Sequence, residues 1–137
     1  MALTIPAGMN AQCVTIPLVA ARATHADIAS AATFKPGFAG RIVGISGVCG
    51  AIGGTTDPTD VDIMVEKGST DLLQAYMAVA DSEAVVSGGV VGTLTATTAD
   101  LEFTATDVLH LDIDITVGTG VDNYCEDVIA YVYVVRE

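Results

Sequence analysis

The chain has no tryptophan, few aromatic residues and few basic ones. Phenylalanine and tyrosine make up 5% of its 137 residues, and five lysines and arginines stand against seventeen aspartates and glutamates. A net charge of −12 leaves no basic patch to neutralise phosphates, which argues against nucleic acid as a partner, and an anionic membrane would repel the chain. The acidity favours solubility; alternatively, it keeps copies of the chain apart until they dock.

Cysteine is also scarce. Cys13, Cys49 and Cys125 are an odd number, form no CxxC motif and have no histidine nearby in the chain, which argues against a disulfide framework and a structural zinc site. All three lie in apolar segments, where cysteine acts as a small buried hydrophobe, and they indicate synthesis in a reducing cytoplasm. We expect neither a signal peptide nor a transmembrane helix, since no suitable apolar run is present.

The hydrophobic residues are spaced as in β-strands. Residues 109–117 alternate apolar side chains with polar ones that include Asp112 and Asp114, which predicts a strand with one dry and one acidic face. Residues 128–135 are apolar on both faces, so both faces need cover. In a chain of this length, the second cover can be another subunit.

About eight short strands separated by Gly- and Asp-rich turns predict an all-β fold, a single antiparallel, jelly-roll-like β-sandwich over residues 39–137. Residues 72–80 fit helical spacing as well as strand alternation, and the β-rich surroundings favour a strand. Residues 1–38 differ, because Pro17 interrupts their one apolar run. They predict an extended N-terminal arm with short edge strands, which lies on a neighbouring subunit or is an ordinary edge strand of the same domain.

One segment carries a resemblance to a known family. Residues 34–48, F-K-P-G-F-A-G-R-I-V-G-I-S-G-V, resemble the opening strand of small capsid decoration (cement) proteins and head-fibre bases of tailed bacteriophages. Residues 101–114 resemble a recurring strand pair of that family, with Thr106 in place of the usual glycine before Asp107. Over about residues 32–137, the resemblance implies a jelly-roll-like sandwich, a homotrimer at capsid three-fold positions, and an arm that laces subunits together.

Several polar groupings invite a chemical interpretation. Asp57, Asp60 and Asp62 could ligate calcium, although a polar hairpin loop explains them better. Asp112 and Asp114, about 7 Å apart on one strand, could form an acid–base pair, but a solvated face is favoured. A triad would have to combine Asp112 with His110 and a serine such as Ser46 or Ser87.

None of these groupings carries a recognised catalytic motif, so we expect no enzymatic activity, no cofactor and no bound metal. The resemblance to decoration proteins implies a structural virion protein that binds the major capsid protein on the surface of a phage head as a homotrimer. The alternative is a carbohydrate- or host-surface-binding β-sandwich module, which would need exposed aromatic residues. The predicted interface comprises arm, hinge and terminal-strand positions: Val14, Ile16, Leu18, Phe34, Pro36, Phe38, Tyr131 and Tyr133.

Overall fold

The computed structural model describes residues 10–19, 23–24, 28–53, 60–80, 89–114 and 124–137. These residues form thirteen β-strands and one short 3-10 turn, at Thr98–Leu101, with no α-helix among them. The strands are β1 (Gln12–Val19), β2 (Ala23–Thr24), β3 (Ile28–Phe34), β4 (Gly40–Val48), β5 (Ala51–Gly53), β6 (Asp60–Lys67), β7 (Thr70–Asp71), β8 (Met77–Ala80), β9 (Val90–Val91), β10 (Glu102–Phe103), β11 (Leu109–Asp114), β12 (Tyr124–Glu126) and β13 (Val128–Arg136).

The strands assemble into two five-stranded sheets and one small sheet, and every pairing is antiparallel. The first sheet has the order β1-β13-β4-β10, with β9 also paired to β4. The second has the order β3-β11-β6-β7, with β8 also paired to β6, and the third is β2-β12-β5. The sheets are curled into a half-barrel. The predicted all-β, antiparallel sandwich is confirmed.

The core lies between the inner faces of the first and second sheets, as strand alternation requires. On β13 the buried residues are Val128, Ala130, Val132 and Val134, while the residues between them are half-exposed. β11 and β6 alternate in the same way and bury Leu109, Leu111, Ile113, Val61, Ile63 and Val65. β-Branched side chains suit this packing because they fill the pleated surface with little loss of rotamer freedom.

The N-terminal region belongs to this sandwich. β1 pairs along β13 from Gln12 to Val19, and β3 pairs with β11, so each is an edge strand of one of the two large sheets. Ile16 and Leu18 are buried in the common core. Of the two alternatives for this region, the described strands follow the second, an edge strand of the same domain.

Both of these edge strands are irregular. On β1 the register shifts between Pro17 and Val19, and on the partner of β3 it shifts between Leu111 and Ile113. Proline has no amide hydrogen to donate, and a bulge bends the strand that contains it. The two edges on this side of the sandwich therefore present no uniform row of backbone groups.

The opposite side of the sandwich is closed by residues 72–75. Leu72 N donates to Val65 O in the second sheet, whereas Gln74 N donates to Thr93 O in the segment that follows β9. An isolated bridge joins Leu73 to Leu94. The predicted strand over 72–80 is therefore reduced to β8, and the residues before it bend across from one sheet to the other.

The turn before β11 does not need glycine. Asp107 accepts a hydrogen bond from the Thr104 amide at 2.7 Å and another from the Thr104 hydroxyl at 3.1 Å. In the described ranges, the one non-glycine residue with a positive φ is Asp127. Thr106, which stands where the family that this segment resembles has glycine, therefore has an ordinary backbone conformation with negative φ.

Candidate functional site

The first sheet presents an outer face that the described part of the chain leaves partly open. Its central row is the half-exposed side of β13, flanked by exposed residues of β1 and by small residues of β4. We call this surface the first-sheet outer face; its members are Cys13, Thr15, Pro17, Arg41, Gly44, Ser46, Val48, Val91, Glu102, Ile129, Tyr131, Tyr133 and Val135.

The two tyrosines predicted from the sequence stand at the centre of this face. Tyr131 lies between Thr15 and Ser46, and Tyr133 lies between Cys13 and Gly44. Side-chain hydrogen bonds link the Tyr133 hydroxyl to Ser46 and Cys13, and Ser46 is 2% exposed. The polar tip of Tyr133 is therefore satisfied within the face.

The environment of Tyr133 is partly dry. Burial raises the pKa of its hydroxyl, and the hydrogen bond from Ser46 opposes that rise. Cys13 and Tyr131 act in the same direction as burial. Cys49 and Cys125 are buried, as expected, but Cys13 is exposed. The expectation that all three cysteines are buried is therefore wrong for Cys13.

This face carries almost no charge. Arg41 and Glu102 are cross-strand neighbours at one end, and no other charged side chain of the described first-sheet strands alternates onto it. The two charges cancel in a chain whose net charge is −12. An apolar, neutral face on so acidic a chain is typical of an interaction surface.

The outer face of the second sheet has the opposite character. Asp62 and Glu66 of β6, Asp71 of β7, and His110 and Asp112 of β11 alternate with buried residues and share this face. Met64 lies between the two β6 carboxylates, opposite Asp112, and is 3% exposed. The acidic groups therefore surround an apolar side chain.

Glu66 is the most perturbed carboxyl group of this acidic face. Burial, hydrogen bonds with Asp71 and Asp112, and the negative charges of both raise its pKa from 4.5 to about 6. Two carboxyl groups can share a hydrogen bond only when one of them keeps a proton. Glu66 holds that proton more firmly than an isolated glutamate does.

Three predicted interface residues of the N-terminal region are placed differently. Val14, Ile16 and Leu18 point inward: Ile16 and Leu18 are in the core, and Val14 packs against it. In the described strands, these three side chains therefore face the core of the same chain. Cys13, Thr15 and Pro17, the alternate positions, are the exposed ones.

The predicted hinge residues form an anchor within the chain. Phe38 contacts the Phe103 ring edge-on, with 5.7 Å between the centroids, and the Arg136 guanidinium lies 5.2 Å above the Phe38 ring. Phe34 packs against the core at the end of β3, and Pro36 is half-buried before Gly37, whose φ is 76°. This turn fixes the entry into β4.

The groupings considered for catalysis are not brought together. His110 and Asp112 lie on the outer face of the second sheet, whereas Ser46 lies on that of the first, on the opposite side of the sandwich. Asp57 and Ser87 fall outside the described residues. Within the described ranges, no three His, Cys, Asp or Glu side chains are arranged to hold a metal ion, and no helix is long and apolar enough to span a membrane.

A groove of about 370 Å³ lies where residues 74–78 approach residues 90–93. Tyr76, which is 47% exposed, stands among its lining residues. The Gln74 amide, the most polar group there, donates to Leu94 O at 3.0 Å. The groove is thus lined mainly by small and apolar groups beside one exposed aromatic ring.

Comparison with known protein families, with curated proteins and with solved structures finds no match for this chain.

Sequence reasoning identified Tyr131 and Tyr133 but missed the residues around them. Ser46, Cys13 and Thr15 join the face only through the pairing of β1 and β4 with β13. The alternation of Val14, Ile16 and Leu18 could have identified the β1 residues of this face, because successive side chains of a strand point to opposite faces.

Proposed function

We propose that this chain is a structural virion protein, a capsid decoration (cement) protein that binds the outer surface of a phage head and stabilises contacts between major capsid proteins. It acts as a homotrimer and catalyses no reaction. The observation that carries the proposal is the neutral, apolar first-sheet outer face on a sandwich with a net charge of −12. The resemblance of residues 34–48 to the family supports the capsid as the target.

The proposed mechanism is stabilisation by buried area. A rigid two-sheet sandwich presents a fixed surface, so little conformational entropy is lost when that surface is covered. Each contact needs only a modest affinity, because each subunit of an oligomer tethers the others to the surface. With many copies on one shell, these contacts sum to a large gain in shell stability. The acidic second-sheet face then stays in solvent and keeps decorated heads from adhering to one another.

The experiment is co-sedimentation with purified phage heads stripped of decoration protein, followed by thermal melting of the heads. We expect saturable binding and a higher melting temperature for the decorated heads. Tyr131→Asp places a charge on the first-sheet outer face and should abolish both effects. Thr98→Asp, in the exposed 3-10 turn, is the matched control and should leave both unchanged. Full-strength binding by the Tyr131 variant would assign the contact to another surface.

Exposed Tyr76 favours a second candidate, a carbohydrate- or host-surface-binding module. An exposed ring beside a groove is the kind of platform on which sugar rings stack. The test is a glycan array read with the wild-type chain and with Tyr76→Ala. Binding to a glycan class that is lost in the variant would support this function, and binding to heads without glycan binding would reject it.

A further inference from the structure

We propose that the carboxyl groups of Glu66, Asp71 and Asp112 share a proton that latches β7, and the crossing residues 72–75 behind it, onto β6, and that this latch loosens as pH rises from acidic to neutral. The latch is a conformational device of the isolated chain and operates whatever surface the sandwich binds. It therefore goes beyond the proposed function, and its failure in the test would leave that function untouched.

Strand register brings the three carboxyl groups together. Asp71 of β7 lies directly opposite Glu66 of β6, and residues directly opposite on antiparallel strands have β-carbons about 4.5–5.5 Å apart. Asp112 of β11 lies diagonally from Glu66, since it pairs with Met64 two residues earlier on β6. Hydrogen bonds link the Glu66 side chain to both aspartates. Because two carboxyl groups can bond only when one keeps a proton, a shared proton ties β6 to both β7 and β11.

The groups around this cluster change its charge in the same direction. The outer-face residues of the strands around Glu66 are Asp62 and Met64 of β6, Asp71 of β7, His110 and Asp112 of β11, Thr33 of β3 and Ala78 of β8. His110 lies directly opposite Glu66, and a histidine side chain loses its positive charge as pH rises from acidic to neutral. None of the described strand residues on this face is a lysine or arginine; Lys67, the next residue on β6, donates to Glu102 O at 2.6 Å instead. A rise in pH therefore makes the cluster more negative at two positions at once.

The proton leaves Glu66 in the weakly acidic range. Burial, the hydrogen bonds with Asp71 and Asp112, and the negative charges of both raise the pKa of Glu66 from 4.5 to about 6. Because this pKa is higher in the folded chain than in the unfolded one, the proton's stabilising contribution is complete below pH 4.5 and is lost as pH rises through 6. At neutral pH three carboxylates face one another across neighbouring strands, and like charges directly opposite are destabilising.

β7 is the strand that yields to this repulsion. It has two residues, and its pairing with β6 consists of Glu66–Asp71 and Lys67–Thr70. The repelling pair is therefore one of the two pairs that hold β7. β11 instead pairs with β6 along all six of its residues and with β3 on its other side, so its position is far more strongly fixed.

The crossing residues 72–75 follow β7 directly and depend on its position. Leu72 N donates to Val65 O of β6, and Gln74 N donates to Thr93 O beyond β9. Leu72 is fully buried, so most molecules keep the crossing closed and the latch changes how often it opens. The crossing continues into one wall of the groove of about 370 Å³, and the latch therefore steadies that wall at acidic pH.

The test is native-state hydrogen exchange followed amide by amide by NMR, on the full chain at about pH 5 and about pH 7.5, with rates corrected for intrinsic exchange. We expect protection of the Leu72 and Gln74 amides to fall about three- to tenfold at the higher pH. A pKa shift from 4.5 to about 6 would give roughly thirtyfold in a group shielded from solvent, and screening at half-exposed Glu66 reduces it. Low urea should leave these two rates unchanged and accelerate exchange in β13, because the latch opens locally.

Three variants assign the proton. Glu66→Gln keeps a neutral side chain that can donate to an aspartate, so its crossing should be equally protected at both pH values, at the level of the wild type at acidic pH. Glu102→Gln removes an exposed carboxylate outside the cluster and should retain the full pH dependence. His110→Gln should retain most of it, because the shared proton lies between carboxyl groups.

Four results would overturn the latch. They are equal protection of the wild-type crossing at both pH values, exchange of the crossing only together with β13, a pH dependence that survives Glu66→Gln, and a pH dependence that is lost in His110→Gln. Circular dichroism melts confirm that each variant is folded before its exchange is compared.

Discussion

Gly47 of β4 faces Met77 of β8 across the core, so closely that a β-carbon on Gly47 would stand 2.7 Å from Met77 Cε. The same β-carbon would lie 3.1 Å from Ile63 Cδ1 and 3.2 Å from Val79 Cγ2. The two sheets are therefore in full contact at this point, and the absence of a side chain at Gly47 makes room for the methionine. Glycine is needed at position 47 because the core leaves no room for a side chain there, and not because the chain turns; Gly47 lies within a regular strand.

Replacing Gly47 by valine should destabilise the fold by about 1–3 kcal/mol, because the added carbons overpack a filled core. Chemical denaturation measures the loss. The double variant Gly47→Val with Met77→Ala removes the methionine that the valine would strike, and we expect it to recover part of the loss relative to the sum of the single variants. Strict additivity of the two changes would mean that these residues do not compete for the same space.

The acidic face should make stability depend on pH through Glu66. Its pKa is raised to about 6 in the folded state, so its stabilising contribution is complete below pH 4.5 and disappears as pH rises through 6. Allowing for solvent screening, the contribution is on the order of 1 kcal/mol. Glu66→Gln should therefore be more stable than the wild type at pH 7, and this advantage should vanish near pH 4.5.

Urea denaturation at several pH values measures this difference. Glu102→Gln removes an exposed carboxylate outside the acidic cluster and serves as the control, for which we expect no comparable change across this range. An advantage of Glu66→Gln that is the same at pH 7 and pH 4.5 would contradict a shared proton.

The three cysteines should differ sharply in reactivity. Cys13 is exposed, whereas Cys49 and Cys125 are fully buried, and burial raises the pKa of the Cys125 thiol to about 11. Because the thiolate is the reactive form, Cys125 is protected both by its burial and by the raised pKa of its thiol. Ellman's reagent should react quickly with one thiol per folded chain and with all three after denaturation. Cys13→Ser should abolish the fast phase.

The stability that the turn before β4 gives to the fold should depend more on the packing of the Phe38 ring than on the charge of Arg136. Phe38→Ala removes the contacts with Phe103 and Arg136 and should cost about 2–3 kcal/mol, less than a fully buried phenylalanine because Phe38 is half-buried. Arg136→Gln removes only the cation above the ring and should cost about 0.5–1 kcal/mol. Thermal melting of both variants ranks them. A larger effect for Arg136→Gln would assign the anchoring to the cation.

Strand identity was predictable wherever one face is buried and the other wet. β11 follows from alternation alone, because its apolar residues are buried and its polar residues lie on the outer face. β6 departs from this pattern at Met64, which is buried on the outer face, and β13 is apolar on both faces. Residues 72–75 were not predictable in this way. Leu72 and Leu73 are consecutive and both buried, since the chain there crosses between the sheets: Leu72 N donates to Val65 O, and Leu72 O accepts from Thr95 N.

The candidate site was only half predictable, for a related reason. A sequence shows that β1 has one apolar side, but not which chain covers it. The pairing of β1 with β13 places Val14 and Ile16 in the core of the same molecule and leaves Thr15 beside Tyr131. Cross-strand register is a long-range property, and no local pattern in residues 1–38 contains it.

The irregular edges of β1 and β3 bear on how crowded copies behave. Strand edges with uniform backbone groups can pair edge to edge with other chains and grow into fibres. Pro17 and the two register shifts interrupt that pattern at β1 and in the pairing of β3 with β11, and the Leu73–Leu94 bridge joins the chain across the other side of the sandwich. Molecules packed side by side at high local concentration therefore meet through side chains that can release again, and they remain separate particles.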